Sequence, residues 1–149
     1  MTKDELIKAA KDAAFSQGLD SALVCAVVEQ ESGWEPWAIR YEPAYQGKYI
    51  APQILKTNWS PTEATARSFS WGLMQILGDS ARSAGFTGHL SSLCDPIVNL
   101  RYGCIWLKRK LGSADGDVIK GLLRWNGGGN PLYPSQVLAR KAKYEDTQS

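Results

Sequence analysis

Asp20-Ser21-Ala22-Leu23-Val24-Cys25-Ala26-Val27-Val28-Glu29-Gln30-Glu31-Ser32-Gly33 is the stretch on which the fold turns. Its seven consecutive apolar residues, Ala22 to Val28, suit either a buried strand or a helix buried on all sides. The borders favour the helix. Asp20 or Ser21 can cap it by accepting from backbone N–H groups that have no partner in the first turn. Glu29, Gln30 and Glu31 are good helix formers, and Gly33 is the residue type that ends helices in the left-handed conformation. The last turn leaves Glu31 in an awkward place. Burial penalises its carboxylate form, and the negative end of the helix dipole repels it. A carboxyl group that stays protonated near neutral pH is suited to giving a proton to a glycosidic oxygen.

Working outward, most of the chain reads as helix. Leu6, Ile7, Ala10 and Ala14 recur at helical spacing before Gly18. Leu73 to Ala84 reads as a short helix ended by Gly85. Asp95-Pro96 is a cap followed by proline at the first helical position. Ile97, Leu100, Cys104, Leu107 and Leu111 follow three and four apart as far as Gly112. Lys108, Arg109 and Lys110 suit the dipole at that end. Asp117 to Trp125 is a further helix, with Val118, Ile119, Leu122 and Leu123 inward, running into Gly127-Gly128-Gly129. A last helix follows Pro134, with Val137, Leu138 and Ala142 on one face. Between them, residues 34–70 form a long, mostly irregular lobe broken by Pro36, Pro43, Pro52 and Pro61, with room for a small β-hairpin or a helical turn. Tyr41, Tyr45, Tyr49 and Trp59 make it too aromatic for a disordered segment. The expectation is one mainly α domain over 1–149.

The totals exclude several function classes. Hydrophobic residues are 44% and charged ones 21%, as in a globular protein. A net charge of +2 gives no electrostatic case for nucleic acid as a partner. No apolar run approaches the roughly 20 residues that cross a bilayer, so membrane insertion is not expected. Met1 to Leu6 carries acids and no apolar signal core, which points to synthesis in the cytoplasm without a signal peptide. Cys25, Cys94 and Cys104, with His89 as the lone histidine, make no zinc pattern, and no metal is expected. The cysteines read as small core residues, with a Cys94–Cys104 bridge left open.

Three segments carry a resemblance: Glu31-Ser32-Gly33, Gly72-Leu73-Met74-Gln75 and Trp125-Asn126-Gly127-Gly128. In this order, with Asn99 and Gly103 one turn apart and Tyr133 behind them, the chain resembles soluble lytic transglycosylases, relatives of goose-type lysozyme. The resemblance runs from about residue 20 to 140. Trp125 stands where the family pattern has tyrosine, so a phenol hydroxyl is missing there. The lobe makes the stretch from Glu31 to Gly72 longer than in the plain pattern. With Arg40-Tyr41-Glu42-Pro43 and Ser70-Trp71, it looks like that of phage and prophage wall-degrading members.

The resemblance implies a lysozyme-like helical domain that cleaves the β-1,4 bond between N-acetylmuramic acid and N-acetylglucosamine in peptidoglycan. Glu31 would act first as acid and then as base on the C6 hydroxyl, leaving a 1,6-anhydromuramic end. The partners implied are peptidoglycan glycan strands met by a monomer, with no cofactor, reached after release or delivery to the wall. Ser32, Met74, Gln75, Trp125, Asn126 and Tyr133 are the expected substrate contacts. Core packing competes for Met74, and helix capping competes for Ser32 and Asn126. Trp34, Trp37, Trp59 and Trp71 are further groove candidates, as flat faces for sugars. Two other readings stand beside this one. One is a hydrolysing muramidase of the same fold with Glu42 or Glu63 as a second carboxylate, Glu35 being less suited so close to the helix. The other is a non-catalytic wall-binding or virion structural module.

Overall fold

A computed structural model describes residues 1–146. Helix α1, Lys3–Ser16, opens with a reciprocal cap in which the Thr2 hydroxyl accepts from the Glu5 N–H and the Glu5 carboxylate accepts from the Thr2 N–H. Helix α2, Ser21–Ser32, is the decisive stretch. The Asp20 carboxylate accepts from the N–H groups of Ala22 and Leu23, and Gly33 closes the helix at φ 59°. All seven residues from Ala22 to Val28 are buried. Leu23, Val24, Val27 and Val28 each contribute about 1.5–3 kcal/mol by that burial.

The lobe is more regular than its prolines suggested. It runs through strand β1 (Ile39–Tyr41), helix α3 (Pro43–Tyr45), a π-helical turn (Gln46–Ile50), a 3-10 segment (Ala51–Lys56), helix α4 (Pro61–Arg67) and strand β2 (Phe69–Trp71). With β3 (Ile76–Leu77) the strands form an antiparallel sheet in the order β1-β2-β3. Ile39 faces Trp71, Tyr41 faces Phe69, and Ser70 faces Leu77.

The helix expected from Leu73 to Ala84 is corrected here. Gly72 to Gln75 is a turn joining β2 to β3, and helix α5 is only Gly78–Ser83. Gly72 sits at φ 66° and Gln75 at φ 50°, outside the range of a right-handed helix. The Met74 N–H is taken at 2.8 Å by the Asn99 side-chain oxygen, which replaces a helical partner.

Helix α6, Pro96–Ser113, begins under the Asp95 cap and runs one residue past Gly112. Leu100, Cys104 and Leu107 enter the core, but Ile97 is exposed because it lies in the first turn. In α7, Val118–Asn126, Leu122 is buried, whereas Val118 and Ile119 are exposed rather than inward. Helix α8, Tyr133–Lys141, packs along α2 and leads into a 3-10 turn, Ala142–Tyr144. One core gathers around α2 from α1, α6, α7 and α8. A smaller one, Ile76, Ala81, Phe86, Leu90 and Leu93, lies beneath the sheet. The three cysteines are free and buried, so Cys94 and Cys104 are not bridged. Burial pushes the Cys25 thiol up to about 11 and that of Cys104 up to about 12. No helix among the described residues is long and apolar enough to cross a membrane.

Candidate active site

Glu31 opens onto a groove of about 890 Å³ between the lobe and the helical core. Arg40, Glu42, Tyr45, Lys48 and Tyr49 line it from the lobe, and Ser70, Gln75 and Ile76 from the sheet. Trp106 and Lys110 come from α6, and Arg124, Trp125, Asn126 and Tyr133 from α7 and the start of α8.

Two carboxylates of one helix are driven apart in this setting. Burial is the largest influence on Glu31, and it raises the pKa from 4.5 to about 7. Arg40 pulls it down, Glu42 pushes it up, and the Tyr133 hydroxyl pulls it down again. Two residues earlier Glu29 is also pushed up by burial. Hydrogen bonds from Lys143, Arg140 and Tyr144 outweigh that and hold it down at about 2. One is therefore an anion fixed to α8 and the turn after it, while the other is an acid with its proton available near neutrality.

Tyr133 is 2% exposed, and its fully buried hydroxyl closes no hydrogen bond. It faces the Glu31 carboxyl and the Trp125 indole N–H, close enough for each to act on its ionisation. Burial, with the Glu31 charge, pushes the phenol above its ordinary value of 10, so it stays a neutral donor. The indole of Trp125 thus offers an N–H beside Tyr133, in a place where the family pattern has a phenol.

The floor is built by Asn99. Its side-chain nitrogen donates to the carbonyls of Trp71 at 2.7 Å and Leu93 at 2.8 Å while its oxygen holds Met74. Gly72 admits this amide, since a Cβ there would strike the Asn99 nitrogen. Gly103, one turn along α6, leaves room for the Met74 sulfur in the same way. Met74 is accordingly a fully buried core residue and offers no surface to the groove. Gln75 does line the groove. Its amide nitrogen donates to Ala38 and Gly72 carbonyls at 2.9 Å each, leaving the side-chain oxygen as an acceptor toward solvent.

Other expectations divide. Trp125, Asn126 and Tyr133 meet Glu31 around the groove, with Asn126 as the last residue of α7 before Gly127 at φ 82°. Ser32 does not line it, because its hydroxyl donates to the Val28 carbonyl of its own helix. Glu42 lines the groove, 3.1 Å from the Ser70 hydroxyl and 3.6 Å from Arg40. Glu63 does not: Arg82 and Arg67 grip its carboxylate and lower its pKa. Among the tryptophans, Trp34 is buried with its N–H on the Tyr144 hydroxyl, Trp37 is exposed outside the groove, and Trp59 lies under the Arg67 guanidinium. The Trp71 N–H is taken by the Ala66 carbonyl. Trp106, Tyr45 and Tyr49 are groove residues that the sequence reading passed over. The spacing of the two tyrosines, four apart on one helical face, was the available signal.

A family model described as "Transglycosylase SLT domain" matches residues 8–147. The chain belongs to the SLT transglycosylase family. No solved structure matches it. The SLT domain is therefore an enzyme of the lytic transglycosylase type, acting on peptidoglycan. Its three family segments have distinct physical duties here: Glu31 faces the groove, the Gly72–Gln75 turn supports its floor, and Trp125-Asn126 forms a wall.

Proposed function

We propose that the SLT domain cleaves the β-1,4 bond after N-acetylmuramic acid with Glu31 as its one catalytic carboxyl, leaving a 1,6-anhydromuramic end. The observation that carries this is the half-buried Glu31, its pKa raised to about 7 by desolvation, lining the groove and faced by an unpartnered tyrosine hydroxyl. Glu31 gives its proton to the bridging oxygen as the bond to the anomeric carbon breaks, and the leaving sugar departs as an alcohol. The Glu31 carboxylate then takes the proton of the C6 hydroxyl while that oxygen attacks the anomeric carbon. The acid ends as it began, and no water is consumed. Tyr133 supports the middle state, because a neutral phenol donates to the carboxylate once its proton has gone. The Gln75 oxygen suits an N-acetyl N–H or a hydroxyl, and the faces of Trp125, Trp106 and Tyr45 suit sugar rings.

Hydrolysis is the second reading, favoured by the Glu42 carboxylate in the same groove, where it could hold a water against the opposite face of the sugar. Mass analysis of the released fragments separates the two. Anhydro ends, lighter by one water, support the transglycosylase, and reducing ends from the wild type refute it. Glu31→Gln abolishes release on either reading. Wall clearing by that variant equal to wild type would refute the catalytic role of Glu31.

A further inference from the structure

Residues 42–56 form the lobe wall of the groove with very little beneath them. Ala44, Tyr45, Lys48 and Tyr49 line the groove, yet Ile50 is the only buried residue of the stretch. The backbone is irregular: the three residues of α3, which no side chain caps, lead into the π-helical turn and then the 3-10 segment. Such π turns are rare and are found mostly at functional sites. With so few buried apolar contacts, a wall of this kind is not held in place by packing alone. From residue 43 to residue 56, Tyr45 makes the only side-chain hydrogen bond to another element among the described residues. Its hydroxyl donates to Asp79 Oδ2 at 2.6 Å. The Tyr45 and Tyr49 ring centres are 4.8 Å apart, so fixing one ring places the other.

Asp79 does not line the groove. It stands in the first turn of α5, which packs on β3 and α6, and those two elements line the groove from other sides. Asp79 is itself held. Arg67 Nη1 donates to its Oδ1 at 2.8 Å, and Arg67 Nε donates to Glu63 at 3.0 Å. Arg82 grips Glu63 through Nε and Nη2 at 2.8 and 2.9 Å, and the Arg67 guanidinium lies 4.1 Å from the Trp59 ring centre. The side chains of Glu63, Arg67, Asp79 and Arg82 are each a quarter exposed or less. Charge-assisted bonds in such a setting keep a fixed geometry. Burial, and then the hydrogen bond to Asp79, push the Tyr45 phenol above its ordinary value of 10, so it stays a donor. Arg67 and Arg82 already join α4 to α5 through Asp79 and Glu63. The Tyr45 bond adds nothing to that joint; it is the part of the network that reaches the groove.

We propose that Asp79 is a positioning residue for the groove: without touching substrate, it fixes the lobe wall through the Tyr45 hydroxyl, in the place where Tyr45 and Tyr49 meet the sugars. This rests on the functional reading above. The test measures kcat and KM on soluble, uncrosslinked peptidoglycan strands for wild type, Tyr45→Phe, Asp79→Ala and the double variant. Tyr45→Phe keeps the ring and every ion pair and loses only the anchoring hydroxyl. Each single substitution raises KM by about two- to tenfold, the cost of ordering one side chain on binding. Each leaves kcat within about twofold, because the reacting groups are untouched. The double variant is no worse than Asp79→Ala, since both changes break the same bond. A role for Asp79 in bracing Arg67 alone predicts instead the same rise in KM with and without the Tyr45 hydroxyl. That additivity overturns the proposal, as does a wild-type KM in Tyr45→Phe or a loss confined to kcat. Where circular dichroism shows Asp79→Ala unfolded, Tyr45→Phe decides by itself. No cleavage by wild type overturns the proposal together with the functional reading.

Discussion

Glu31→Gln keeps the shape of the acid and removes its titration, which makes the cost of holding that acid measurable. In the folded protein the group ionises at about 7 and in the unfolded chain at about 4.5. Below the lower value both states are neutral and the folded state bears no penalty. As pH rises through the window, the unfolded chain ionises first, and above the upper value the folded state carries the full cost. At 1.36 kcal/mol per unit this is about 3 kcal/mol of stability lost by wild type between pH 4 and pH 8. The glutamine variant does not lose it. Other groups titrate alike in both proteins and cancel in the difference. The assay is urea denaturation of both proteins at the two pH values. With a slope of about 2 kcal/mol per molar, the gap between their midpoints widens by about 1.5 M at the higher pH. A gap that stays constant refutes the burial argument for Glu31. A more stable, inactive variant is the expected signature of a site that trades stability for chemistry.

The same reasoning reaches other positions. Asn99→Ala removes three buried hydrogen bonds and strands an N–H and two carbonyls, a loss of about 3–5 kcal/mol that lowers Tm by about 10 °C; a Tm within a few degrees of wild type would contradict it. Gly103→Ala forces a methyl into the Met74 sulfur and costs about 1–3 kcal/mol by chemical denaturation. Gly112→Ala on the same helix meets nothing and is neutral or stabilising. Arg40→Gln moves the alkaline limb of the kcat/KM profile to higher pH, and Glu42→Gln moves it lower, because the two charges act on Glu31 in opposite senses. Shifts in the same direction would count against that electrostatic picture.

Where local signals agree, the fold was legible in the sequence. Cap, apolar run and closing glycine all point to one helix at α2, and Asp95-Pro96 does the same for α6. The turn at Gly72 was not legible. Leu73, Ile76, Leu77 and Ala81 satisfy a helical period as well as they satisfy the real structure. What decides between them is Asn99, 25 residues away. The extent of regular structure in the lobe was hidden for a different reason. Pro43 and Pro61 look like interruptions, yet each sits at the start of a helix, where proline is at home. Ser60-Pro61 repeats the cap-and-proline signal of Asp95-Pro96. In the site, Glu31 was readable because it ends a helix whose apolar run shows in the sequence. The retirement of Glu63 was not, since Arg82 lies 19 residues on.

The pairing of Glu31 with Tyr133 also has a meaning in time. The two are 102 residues apart, and α2 lies against the helix that Tyr133 begins. At about 5–20 residues per second, synthesis leaves an interval on the order of 5–20 s between them. Throughout it the growing chain has Glu31 but neither the wall that buries it nor the hydroxyl that faces it, so its carboxyl ionises as in any exposed peptide. The nascent chain is therefore catalytically silent. Its hazard is of another kind: an apolar helix waiting for its last neighbour, and so a segment for chaperones to shield until α8 arrives.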